Sequence, residues 1–154
     1  MAAFTKFNNF VQDVGRALVN LNTDALKVLL TDTVPNAADT IVDTTTGTCT
    51  VKSTSNAAEI AAGNGYAKGG NTPTNSGYSQ SAGTGKLVLV DTTFTAAGGT
   101  IGPFRYVVLY DNTGGTTATR PVVGWYDYGA EVTLQIGETF TVDFDGTNGV
   151  LTIA

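Results

Sequence analysis

The chain has 154 residues, eight Lys and Arg against thirteen Asp and Glu, and a net charge of −5. That length suits one domain able to bury about two thirds of its unfolded surface, and the acidic balance offers no basic face to displace counterions from nucleic-acid phosphates. There is no histidine, which removes the usual general base and the commonest metal ligand at neutral pH.

The opening MAAFTKFNNF lacks a basic segment followed by an apolar one, so it does not read as a secretory signal. Phe4, Phe7, Phe10, Val11, Val14, Leu18 and Leu21 recur at steps of three and four. That spacing predicts an amphipathic helix from about Thr5 to Val19, weakened at Gly15 by about 1 kcal/mol relative to Ala. Its three phenylalanines pack either on this domain's own core or on a partner subunit.

After Asn22-Thr23-Asp24 the period changes. ALKVLLT (25–31) reads as a strand, and the Thr-, Ala- and Asp-rich residues 36–60 hold two short strands, TIVD and TCTVK. Cys49, the one cysteine, rules out an internal disulfide and has no histidine to activate it. It is predicted to be a buried thiol.

Residues 61–71, AAGNGYAKGGN, raise the question of a phosphate loop. The dinucleotide fingerprint needs GxGxxG between a strand and a helix, but Lys68 stands where the third glycine belongs. GTGK at 83–86 is followed by Leu87 and a strand, not by Ser or Thr and a helix. The glycines are therefore expected to serve turns and close backbone approach, or to form an arm against a neighbour.

From Lys86 onward strand follows strand: KLVLVD (86–91), FRYVVLYD (104–111), VVGWYDY (122–128), EVTLQI (131–136), TFTVDFD and VLTIA (150–154). FRYVVLYD is apolar on both faces except at Arg105, which predicts a central strand. In GWYDYG, alternation sends Trp125 and Asp127 to one face and Tyr126 and Tyr128 to the other. A sugar platform would be split there; core on one side and a contact surface on the other fits better. DFDGTNG (143–149) resembles a calcium loop at its first and third positions, but Asn148 replaces the required glycine and Ala154 the closing glutamate. It reads as a hairpin turn. Glu131, Glu138, Asp143 and Asp145 show no spacing that forces a catalytic pair into one cleft. No catalytic, cofactor-binding or metal-binding residue is named.

About eight strands at intervals of about ten residues, behind one helix, predict an all-β antiparallel sandwich or barrel. The chain divides into an N-terminal helix or arm (1–22) and a single β-sandwich domain (23–154). No apolar run approaches the about 20 residues needed to cross a bilayer, so no membrane role is expected.

FTKFNNFVQDVGRALVNLNTDALKVLLT, EIAAGNGYAKGG, GPFRYVVLYD, GWYDYG and GETFTVDFDGTNGVLTIA together resemble a family of small structural proteins encoded in tailed-phage genomes near the head genes. The resemblance implies a virion component made in the host cytoplasm. Capsid cement or decoration proteins, with a jelly-roll-like sandwich, are similar in kind. It implies a non-enzymatic protein without cofactor on the capsid exterior, bound to the major capsid protein and to itself as a dimer or trimer. The residues expected to make contact are Phe4, Phe7 and Phe10 on the helix and Trp125, Tyr126 and Tyr128 on the aromatic strand. The alternative is a receptor- or carbohydrate-binding sandwich of a head fibre or tail.

Overall fold

The computed structural model describes residues 3–154, so the first two residues of the predicted arm lie outside the described residues. Among the described residues twelve strands form, in antiparallel sheets of seven, three and two strands, with one short helix. The strands are β1 (Phe4–Lys6), β2 (Leu26–Thr31), β3 (Ile41–Asp43), β4 (Thr50–Lys52), β5 (Ala57–Ala58), β6 (Asn75–Ser81), β7 (Thr84–Leu89), β8 (Thr92–Thr95), β9 (Ile101–Asp111), β10 (Arg120–Leu134), β11 (Thr139–Val142) and β12 (Leu151–Ile153). The helix α1 spans Asn8–Gly15. None of the sheets closes into a barrel.

The large sheet runs β2-β9-β10-β3-β4-β5, with β1 added along β10. Its centre is buried on both sides, because alternate residues of β2, β9 and β10 enter two different cores. Val28, Leu30, Val107, Leu109, Val123 and Tyr126 face the main core, which β7, β8, β11 and β12 close with Leu87, Leu89, Phe94, Val142 and Leu151. Leu29, Tyr106, Val108, Tyr110, Val122 and Trp125 face the second core. The ribbon β3–β5 covers that face with Val42, Val51 and Ala57, joined by Cys49 and Phe7. Each large apolar side chain so buried contributes about 1.5–3 kcal/mol, before conformational entropy is set against it. Strand β9 lies between β2 and β10, the central position its two apolar faces predicted.

Four differences from the sequence reading have physical causes. The helix is shorter than 5–19 because Phe4, Thr5 and Lys6 pair with Tyr126, Trp125 and Gly124 of β10. It ends early because Ala17 takes a left-handed φ of 56°. Ala17 N–H bonds to Val14 O at 3.0 Å and Leu18 N–H to Asp13 O at 2.9 Å, a Schellman closure with alanine in the usual glycine position. VVGWYDY and EVTLQI are one strand, β10: the YGA between them is a bulge, with a register shift between Asp127 and Val132 and Gly129 at φ 89°. Strand β6 arises from polar residues that carry no apolar alternation. Its hairpin with β7 turns at Ala82 (φ 48°) and Gly83 (φ 85°), both left-handed as a type I′ turn requires. Strands β1, β5, β6 and β8 account for the excess over about eight.

The glycine-rich stretch lies along the outer side of β2, the end strand of the large sheet. Ile60 N–H bonds to Leu30 O at 2.9 Å, and Val28 and Asn71 exchange backbone bonds at 2.8 and 3.0 Å. A Cβ on Gly70 would stand 1.8 Å from Val28 O, so only glycine lets the backbone come this close. The stretch is a turn-rich cover packed on its own sheet.

Candidate contact surface

The six predicted contact residues do not form two separate surfaces. Four of them form two aromatic pairs, one on each face of the large sheet. On the main-core side the rings of Phe4 and Tyr126 lie 5.0 Å apart. On the other side Phe7 packs against Trp125 at 4.6 Å. Phe10 enters the main core alone. The expectation of one helix face carrying Phe4, Phe7 and Phe10 is corrected: Phe4 sits on a strand, and the helix start sends Phe7 and Phe10 into different cores. Phe7, Phe10, Trp125 and Tyr126 are all buried within this chain. The split of Trp125 from Tyr126 follows the predicted alternation. A buried Trp125 offers no open indole face for a sugar to stack on.

Tyr128 is the one member that faces solvent, at 56 % exposure. The β10 bulge throws it outward. Asp127 beside it is clamped by Arg105, with Nε and Nη2 at 2.7 and 2.8 Å from its two oxygens, and accepts from Gly129 N–H at 2.8 Å. The Arg105 guanidinium, then the Gly129 N–H, hold the Asp127 carboxyl below its ordinary range.

Tyr128 stands at the mouth of an open pocket of about 150 Å³, lined by Val107, Tyr126, Tyr128, Phe140, Thr141, Val142 and Asp143. Tyr128 meets Phe140 edge-on, with ring centroids 5.5 Å apart. Phe140 is backed in turn by Phe104 at 4.9 Å. Burial, then the negative charges of Asp143 and Asp145, push the Tyr126 phenol up to about 12. Among the described residues the Tyr126 hydroxyl has no hydrogen-bond partner, and Asp143 is in neither ion pair. Sequence reasoning missed the pocket's other wall. Alternation along TFTVDFD separates Phe140 and Val142 from Thr139, Thr141 and Asp143, but only the pairing of β11 with β8 brings them against Tyr126 and Tyr128.

Other polar clusters are structural. Glu59, buried, accepts from Cys49 N–H at 2.6 Å, Gly69 N–H at 2.6 Å and the Tyr66 hydroxyl at 2.9 Å. Burial, then the nearby Glu59 charge, push the Cys49 thiol up to about 12, so it carries no thiolate at neutral pH. Asp145 accepts from Thr147 N–H at 2.9 Å and Asn148 N–H at 2.7 Å, so its carboxylate closes the turn of the calcium-loop look-alike. Among the described residues no group of three or more His, Cys, Asp or Glu side chains could hold a metal ion, and no helix is long and apolar enough to cross a membrane.

Compared with known proteins, the chain matches no family model, no curated protein and no solved structure.

Proposed function

We propose that this chain is a non-enzymatic virion structural protein. It acts as a capsid cement or decoration protein of the jelly-roll-like kind, bound in many copies to the outer surface of a phage major capsid shell. The observation that carries the contact reading is Tyr128, a large aromatic side chain 56 % exposed beside an open aromatic pocket. Exposed aromatic and apolar groups of this kind are what protein interfaces cover. Val11, Val34, Val90 and Ile136 are also exposed, in a chain with only 14 % charged residues. The partner comes from the likeness of its sequence segments to tailed-phage structural proteins.

The mechanism is buried contact area multiplied over a repeating lattice. Each copy binds modestly, and simultaneous attachment across capsomers resists their separation. A dimer or trimer of this chain would raise that multiplicity. The acidic charge favours basic patches on the shell and disfavours the packaged genome. The Cys49 thiol, buried and held protonated, is not placed to act as a nucleophile.

The test is to assemble particles with and without the protein and to challenge both with heat and osmotic shock. Particles that bear it should survive conditions that open bare ones, and Tyr128→Ala should reduce both occupancy and protection. Equal survival with and without the protein would sink the reading.

A further inference from the structure

We propose that the Tyr126–Tyr128–Phe140 pocket receives the guanidinium of an arginine presented by a partner chain. The inference deepens the contact reading above and rests on it. Three observations point to this occupant. The walls are aromatic: Tyr126, Tyr128 and Phe140 surround a cavity of about 150 Å³ whose floor is Val107 and Val142. Such walls attract a cation through their ring faces, and the floor suits the aliphatic stem of a long basic side chain. The rim is acidic: Asp143 lines the pocket, is exposed, and has no ion-pair partner among the described residues. Among the described residues no lysine or arginine lines the pocket, so its lining holds no cation that would neutralise that charge. The Tyr126 hydroxyl is a further free acceptor for an N–H.

Arginine fits these features better than lysine or a sugar. Its planar guanidinium stacks on aromatic faces and carries several N–H donors in one plane, which a carboxylate and a phenol can share. The polar side-chain groups in the lining are Thr141, Asp143 and the hydroxyls of Tyr126 and Tyr128, and the one charged group among them, Asp143, favours a cation over a neutral sugar. The chain's net charge of −5 adds a field of the right sign for drawing in a cation.

The test uses the purified full chain and capped arginine, N-acetyl-arginine methylamide, followed through the aromatic NMR resonances. The ring signals of Tyr126, Tyr128 and Phe140 should shift and saturate with a Kd on the order of millimolar. Capped citrulline, equal in shape but neutral, should bind weakly or not at all. Asp143→Asn should weaken arginine binding about fivefold, and Tyr128→Ala should weaken it further. Both side chains are exposed, and an unchanged amide spectrum elsewhere verifies the fold. Equal shifts with citrulline, no response to Asp143→Asn, or no saturation would overturn the proposal. Tighter binding of tetramethylammonium than of capped arginine would overturn it in favour of a small free cation. Arginine binding in a protein that gives particles no protection would refute the shell reading and leave the pocket standing. Protection without arginine binding would do the reverse.

Discussion

Two buried aspartates respond to pH in opposite directions. Asp39 accepts from Thr54 N–H at 2.6 Å, Ser55 N–H at 2.8 Å and Asn36 N–H at 2.9 Å, and from the Ser55 hydroxyl. Burial alone would raise its carboxyl, but these donors outweigh it and hold the group low. Asp111, fully buried at the end of β9, accepts from Thr113 N–H at 2.6 Å, while its second oxygen has no partner. Burial first, and also the charge of nearby Asp24, push its carboxyl up to about 6. A carboxyl raised on folding favours the protonated protein. Its contribution is intact below the unfolded value of about 3.9 and is lost as pH rises through the folded value. At neutral pH the ionised Asp111 therefore costs stability on the order of 2 kcal/mol. Asp111→Asn keeps an acceptor for Thr113 and gives Asp24 a donor. Thermal melts should show this variant several degrees more stable at about pH 7.5, with the gain vanishing near pH 4. A gain of equal size at both pH values would mean that packing is responsible and the charge is not. Nothing in the spacing of Asp24 and Asp111 along the chain announced this pair; only the register of β2 on β9 brings them together.

The same contrast between local pattern and pairing holds for whole elements. Helix α1 was visible in its three- and four-residue spacing, but its limits were not. They are set by the β1–β10 pairing at one end and by the left-handed Ala17 at the other. An alanine in that conformation costs about 1 kcal/mol relative to glycine. Ala17→Gly should therefore raise the melting temperature by about 2–4 °C. A lowered melting temperature would show that the Ala17 methyl packs on something worth more than the backbone strain it carries. Strands β7, β9 and β11 were readable because each alternates or is apolar throughout. Strand β6, NSGYSQS, was not, since what makes it a strand is its partner β7 and the turn between them. Tyr128 was among the aromatic residues singled out from the sequence, and it is the one of them that stands exposed. The pocket beside it depends on β11, and no spacing within β10 could have revealed it.

At the scale of the whole molecule, the central strands β2, β9 and β10 are shared property. Each contributes alternate side chains to both cores, so neither core can open without disturbing the strands that form the other. The protein should unfold as one cooperative unit. Trp125, the single tryptophan, lies in the second core, so its fluorescence reports there, while far-UV circular dichroism reports the whole backbone. The two denaturation curves should coincide, with one midpoint. A fluorescence transition that precedes the backbone transition would show that the β3–β5 ribbon and its core come away alone.

The cover along β2 has a meaning that only appears when many copies are considered together. Leu26–Thr31, LKVLLT, is a run of apolar and β-favouring residues with a single charge, and it ends the large sheet. Left bare, such an edge would offer its backbone to the same edge of the next molecule, the first step of a cross-β stack. Any protein present at high concentration meets its own copies constantly. The glycines at 69 and 70 let a neighbouring stretch of the chain occupy that edge first. Their value lies in the association they prevent.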